Sequence, residues 1–280
     1  AGTPRVRVQT HFDAKAQRYT LTLSQSCPDT PGQKNKKPFH VPLRTQLLFT
    51  NGELVDQTLR TERLLELTDT TQTWIFDHVP SEPVLSINRG FSAPIVLEFD
   101  QSEADLLTLF ANDDDAFNRW EAGQKQAMQW ILTGRTPDQA LLQTYRLILQ
   151  DPKLDPAFKE LALTLPAETY LYEQCVSVEP QTIHANRKAF REAMAQHLQP
   201  EWERLYTTMQ TPGTFEPDAV SAGKRSLKNL ALAMLLIANP AQWAKPAQQQ
   251  YMLANNMTDR YAALAHLVQN LSLIHISEPT

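Results

Sequence analysis

The sequence predicts two domains of different class, an antiparallel β-sandwich followed by an α-helical array. Three observations predict it. Up to about residue 100, apolar and polar residues alternate with period two, as half-buried strands require. Beyond Asp100 the apolar spacing lengthens to that of amphipathic helices. And 42% of the 280 residues are hydrophobic, enough to bury a core in each of two ordinary domains.

The first half divides into short strands. "RVRVQTHF" puts Val6 and Val8 on one face and Arg5 and Arg7 on the other. The chain opens "AGTPRVRVQT", straight into this strand, and reads as the middle of a longer polypeptide. "RYTLTLSQ" aligns Tyr19, Leu21 and Leu23. "SCPDTPGQKNKKP" is polar and Pro-rich and reads as a long exposed loop, with Lys34, Lys36 and Lys37 solvated rather than docking an acidic partner. "VPLRTQLLFT" runs into Asn51-Gly52, the strongest short hairpin signal, and "ELVDQTL" follows. "RLLELT", "TWIFDHV", "PVLSIN" and "PIVLEFD" complete seven or eight strands.

The second half is a succession of helices. "DDDAFNRWEAGQKQAMQWILTG" spaces Phe117, Trp120, Ala127, Trp130 and Ile131 helically, with both tryptophans read as core. Asp113, Asp114 and Asp115 read as surface acids at a positive helix start rather than a metal-binding patch, and Gly134 suits the exit. Thr136 with Pro137, and Asp155 with Pro156, read as cap and first helical residue of the next two helices. "EPQTIHANRKAFREAMAQHL" and "EWERLYTTM" follow. "DAVSAGKRSLKNLALAMLLIAN" is apolar over most of its turn and reads as a central buried helix. "PAQQQYMLAN" and "TDRYAALAHLVQN" close the series, the last capped by Thr258 and packing through Tyr261, Leu264 and Leu267. The connections are short and no strict sequence period recurs, as in an array of helix pairs.

Composition excludes several function classes. A net charge of −5 argues against nucleic acid as a partner. No apolar run reaches bilayer-crossing length, so no membrane partner is expected. Cys27 and Cys175 read as free thiols in a reducing compartment. No G-x-G-x-x-G, C-x-x-C, G-x-S-x-G or H-E-x-x-H motif occurs, and His184 and His197 are too far apart for an i, i+4 ligand pair.

Five stretches occur in a telling order: "AGTPRVRV", "YTLTLSQSCPDTPGQKNKKPFHVPL", "FDHVPSEPVLSINRGFSAPIVLEF", "NDDDAFNRWEAGQ" and "ANNMTDRYAAL". Together they resemble the bacterial aminopeptidase N family, the zinc-dependent alanyl aminopeptidases of the H-E-x-x-H (gluzincin) class. The resemblance runs from Gly2 to about Asn270. It implies an Ig-like antiparallel β-sandwich over 1–101, the first part of a carboxy-terminal α-α superhelix over 102–270, and a non-native tail over 271–280, "LSLIHISEPT".

The family's catalytic domain, with its zinc ligands, general-base Glu and G-x-M-E-N motif, would precede Ala1. The chain would then carry no catalytic or metal-binding residue and bind no zinc itself, zinc being the parent's cofactor. Its partners would be the catalytic domain of the same polypeptide and, through it, peptide substrates, in the cytoplasm. The sandwich would act as a spacer and the helices as part of the wall enclosing the active-site cavity. Asn255 and Asn256 would face that cavity, or simply form a turn. The alternative is a self-standing protein-interaction module with no enzymatic parent.

Overall fold

The computed structural model describes residues 2–49 and 61–270. The expected hairpin at Asn51-Gly52, the strand "ELVDQTL" and the tail 271–280 lie outside the described residues. By compactness the chain divides into two units, Ala1–Ala122 and Gly123–Thr280.

The first unit is a sandwich of two sheets among the described residues. Strands β1 (Arg5–Asp13), β2 (Arg18–Ser26), β5 (Thr71–Phe76) and β7 (Val96–Glu98) form one sheet in the order β5-β2-β1-β7. Strands β3 (Val41–Leu48), β4 (Arg63–Leu67) and β6 (Val84–Ile87) form the other, in the order β4-β3-β6. The predicted alternation decides what is buried. Val6, Val8, Tyr19, Leu21 and Leu23 from one sheet meet Val41, Leu43, Leu47, Leu65, Leu67, Leu85 and Ile87 from the other in a single core. Each fully buried aliphatic side chain there contributes about 1.5–3 kcal/mol.

One pairing departs from the antiparallel expectation. β7 runs parallel to β1, with Arg5 opposite Val96 and Arg7 opposite Glu98. The chain reaches β7 from β6 of the opposite sheet through a one-turn 3-10 segment, Arg89–Phe91, and a crossover of this kind permits parallel pairing.

All four residues of β6 are buried, because both of its faces are covered. Leu85 and Ile87 belong to the sandwich core, while Ser86 meets the residues that open the helical sequence. Helix α1 (Glu103–Asn112), which the sequence reading did not predict, is started by a reciprocal capping box between Ser102 and Asp105. Asp115 then caps α2 (Ala116–Leu132), its Oδ1 accepting from the Asn118 N–H at 2.9 Å.

Asp113 is not the surface acid expected. Its side chain is fully buried, and its carboxylate accepts from Arg89 Nη1 at 2.7 Å and from Ser86 Oγ at 2.7 Å. Arg89, itself 4% exposed, also donates to Glu62 Oε2 at 3.0 Å and to Asp114. The acids are drawn inward because a buried guanidinium needs them. Desolvation opposes the charge on Arg89, but Asp114, Asp113 and Glu62 together hold its pKa above the ordinary arginine value. Trp120, expected in the core, is only half-buried, 6.1 Å from Phe117, whose ring is 5.4 Å from Phe91.

The second unit contains α3 (Gln139–Gln150), α4 (Pro156–Leu163), α5 (Glu168–Glu173), α6 (Pro180–His197), α7 (Gln199–Thr208), α8 (Ala219–Ala238), α9 (Pro240–Leu253) and α10 (Met257–Asn270). Gly134, at φ +74°, ends α2, and the Arg135 N–H returns to the Trp130 carbonyl at 2.8 Å. The cap of α3 is Asp138 rather than Thr136. Asp155 and Pro156 start α4 as expected. α9 starts earlier than predicted, at Pro240 behind the Asn239 cap, so that Pro246 lies inside the helix.

α8 is the central helix, with Leu227 and Ala231 through Leu236 buried and with α4, α6, α7, α9 and α10 packed on it. A Cβ on Gly223 of α8 would stand 3.0 Å from the backbone nitrogen of Ala157, so glycine permits the α4–α8 approach. In α10 the buried stripe is Asp259, Ala263 and Leu267; Leu267 is buried as predicted, but Tyr261 is 67% and Leu264 37% exposed, contrary to expectation. Buried Asp259 sets the rotation of the helix, which turns Leu264 outward.

Candidate functional site

The junction between α9 and α10 holds the two residues singled out from the sequence, and it is built on a polar network. Asn256 caps α10, its Oδ1 accepting from the Asp259 N–H at 2.9 Å, while its Nδ2 donates to Asp259 Oδ2 at 3.1 Å. Thr258, expected to cap, sits exposed in the first helical turn. Asn255 uses both ends of its amide: Nδ2 donates to the Gly213 carbonyl at 2.7 Å, and Oδ1 accepts from Asn256 at 3.1 Å. Arg260 Nη2 donates back to the Ala254 carbonyl at 2.8 Å, closing the turn.

Beneath the turn lies an ion pair that the sequence reading missed. Lys228 Nζ of α8 donates to Asp259 Oδ2 at 2.6 Å, with both side chains almost fully buried. Asn229 Nδ2 donates to Asp259 Oδ1 at 3.0 Å, and Gln250 Nε2 of α9 reaches Asn229 Oδ1 at 2.8 Å and the Asp259 carbonyl at 3.1 Å. Three helices are thereby fixed around one carboxylate. The N-x-x-D spacing in "NNMTD" signalled the cap; nothing in "KRSLKNLA" distinguished Lys228 from a solvated lysine.

Two clefts border the junction. One, of about 460 Å³, is lined by Tyr206, Gln210, Lys228, Gln250, Leu253 and Asn255 among others. The other, of about 430 Å³, includes Phe215, Lys224, Arg225, Asn255 and Asn256. Burial, reinforced by the Asp259 charge, pushes the Tyr206 phenol above its ordinary value, so it stays protonated at neutral pH. The first cleft offers a phenol and amides, groups that hydrogen-bond peptide-like ligands without supplying a nucleophile.

Among the described residues no group of three or more His, Cys, Asp or Glu side chains is placed to hold a metal ion. His184 pairs with Glu168 at 2.8 Å, His40 with Glu66 at 3.0 Å, and Asp113 and Asp114 with Arg89. Both cysteines are free and half-buried, and Lys36 of the lysine-rich loop is tied to the Pro28 carbonyl at 2.6 Å. No described helix is long and apolar enough to cross a membrane.

Comparison with known proteins adds the family. Residues 2–100 match the domain of unknown function (DUF3458) with an Ig-like fold, and residues 103–274 match the domain of unknown function (DUF3458_C) made of ARM repeats. The chain is 40% identical over 275 residues to aminopeptidase N of Caulobacter vibrioides, covering 96% of this chain and 31% of the relative. It is 30% identical over 280 residues to aminopeptidase N of Escherichia coli, covering 96% and 32%. The crystal structure of Legionella pneumophila aminopeptidase A in complex with aspartic acid shares the fold, with a TM-score of 0.79 and 22% identity over 95% of this chain and 32% of that one. The chain thus spans about a third of the length of the relatives it matches. An Ig-like sandwich followed by an ARM-type helical unit, matched in sequence along almost the whole chain, places it in the DUF3458 and DUF3458_C family, the domain pair that it shares with aminopeptidase N homologues.

Proposed function

We propose that this chain is the non-catalytic carboxy-terminal part of a cytoplasmic zinc metallo-aminopeptidase of the aminopeptidase N kind, which removes amino-terminal residues from peptides. The observation that carries the reading is the 40% identity over 275 residues to a third of an aminopeptidase N. Among the described residues no three His, Cys, Asp or Glu side chains converge as zinc ligands would. In this reading the parent's metal and the hydrolytic step belong to another part of the polypeptide.

In this reading the sandwich is a spacer, and its single continuous core suits a part that must not deform. The helical unit forms part of the wall around the active-site cavity, with Asn255 and Asn256 on the cavity side. The protonated Tyr206 and the amides of the junction would then present neutral hydrogen-bonding groups to a passing peptide. The domain limits 1–101 and 102–270 mark these two roles.

A chimera tests it. This chain replaces the matching third of the Caulobacter vibrioides aminopeptidase N. The chimera is expected to hydrolyse alanyl anilide and short peptides while sparing the amino terminus of a folded protein, and this chain alone is expected to hydrolyse neither. A chimera that trims folded proteins as readily as peptides would overturn the wall assignment. Hydrolysis by the isolated chain would overturn the non-catalytic one.

A further inference from the structure

We infer that the cleft between α6, α8 and α10 is a binding site for an apolar carboxylate, anchored by Arg191. The cleft has a volume of about 530 Å³ and is lined by neither Asn255 nor Asn256. Its walls include Leu230 and Ala233 of α8 and Met257 and Tyr261 of α10, with Arg191 of α6 at one side. Met257 is 77% and Tyr261 67% exposed, so the apolar rim is open to solvent.

Arg191 is half-buried, yet among the described residues it makes no ion pair and no hydrogen bond. That is unusual for a guanidinium, which carries five donors and is costly to desolvate without a partner. Its neighbour one turn earlier, Arg187, is occupied by the Pro166 carbonyl at 2.8 Å and adds like charge. Glu160 also lines the cleft, but its carboxylate accepts from Thr164 Oγ1 at 3.0 Å and does not pair with Arg191. His266 is held neutral at pH 7, since burial and Arg191 lower its pKa to about 4. The site therefore carries an unmet positive charge beside an apolar wall.

The geometry of the donor selects the anion. A planar guanidinium fork matches a two-oxygen carboxylate, and the apolar walls suit a short aliphatic or aromatic chain. Glu160 at the margin disfavours a doubly charged phosphate. The carboxylate could belong to a free aliphatic acid or to the carboxy terminus of a peptide, and the experiment separates the two.

The full chain, labelled with 15N, is titrated with N-acetyl-Leu-Leu, with the same dipeptide as its carboxy-terminal amide, and with hexanoate. Saturable amide shifts confined to α6, α8 and α10 are expected with the acid, and binding of the amide is expected to be weaker by about tenfold or more. Hexanoate matching the dipeptide assigns the site to free acids; a preference for the dipeptide assigns it to peptide chain ends. Arg191→Gln is expected to lose the acid preference without lowering the melting temperature, because no native bond is broken. Tyr261→Ser provides a second test at an exposed wall and is expected to weaken acid and amide alike. Equal binding of acid and amide, undiminished binding by Arg191→Gln, or no saturation by about 10 mM would each overturn the assignment.

Discussion

Among the described residues each unit buries a cation against carboxylate, and the two sites are built differently. In the first unit Arg89 spreads its guanidinium over Asp113, Asp114 and Glu62, with Ser86 as a fourth partner. In the second, Lys228 points at Asp259 alone, and the remaining needs of that carboxylate are met by Asn229, Asn256 and the cap N–H. Redundancy lies with the cation in one case and with the anion in the other. A planar fork can share a buried charge among several carboxylates, whereas an ammonium is a point charge. The difference teaches where each unit is vulnerable: the first tolerates loss of one acid, and the second does not.

The largest expected effect breaks this comparison directly. Asp259→Asn leaves Lys228 buried with no carboxylate partner among the described residues, and is expected to cost about 3–5 kcal/mol. Asp113→Asn leaves Arg89 with Glu62 and Asp114, and is expected to cost about half as much. Urea denaturation of both variants measures the pair. An Asp113→Asn cost equal to or above that of Asp259→Asn would end the argument from redundancy.

The next effect sharpens how Asp259 sets the rotation of α10. Leu267 is 5% exposed and Leu264 37%. Leu267→Ala is expected to cost about 2–4 kcal/mol, and Leu264→Ala less than about 1 kcal/mol. If Leu264→Ala cost as much as Leu267→Ala, Leu264 would be packed as the sequence alone suggested, an expectation that the structure reverses.

That reversal marks what was legible and what was not. The period-two runs located β1, β2 and β3 because a sheet with one wet face writes its burial into alternation. The parallel β7 was hidden, since pairing direction depends on a crossover and leaves no residue pattern. Helix α1 carried its signal in Ser102 and Asp105, a capping box with Asp in place of Glu, which the reading passed over. Asp113 and Lys228 were misjudged or missed for one reason: a buried charge looks like a surface charge until its partner is known, and both partners lie 24 to 31 residues away. For the candidate site, Asn255 and Asn256 were found, but the carboxylate and lysine beneath them were not.

The third expectation concerns pH, and it sets the two units apart again. Burial and then Arg191 lower the His266 pKa from 6.5 to about 4. The unfolded chain therefore takes up a proton that the folded chain refuses. The stability due to neutral His266 is full above about pH 6.5 and is lost as pH falls towards 4, amounting to about 3 kcal/mol. In the first unit Asp113 contributes with the opposite sign, because burial raises its carboxyl, against Ser86, the Asp115 N–H and Arg89. A raised carboxyl contributes fully below its unfolded value of 3.8, and that contribution is lost as pH rises through the folded pKa. The protection factors of α10 amides, which are exchange rates corrected for their intrinsic pH dependence, are expected to fall between pH 7 and pH 4.5, and His266→Gln to remove the fall. The same slope in His266→Gln would assign the effect to another group.

The smallest effect separates the two asparagines. Asn256 satisfies an otherwise orphaned helix N–H and adds a bond to buried Asp259, so Asn256→Ala is expected to cost about 1–2 kcal/mol. Asn255 is exposed, and its bonds to Gly213 and Asn256 compete with water, so Asn255→Ala is expected to cost about 0.5 kcal/mol. Stability alone then assigns Asn256 to the fold and leaves Asn255 available for a ligand. In the chimeric enzyme the same substitutions discriminate further. If Asn255 touches a peptide in the cavity, Asn255→Ala raises KM for longer peptides while leaving the melting temperature nearly unchanged. If it only shapes the turn, KM stays put, and the role proposed for this junction narrows to holding α8, α9 and α10 around Asp259.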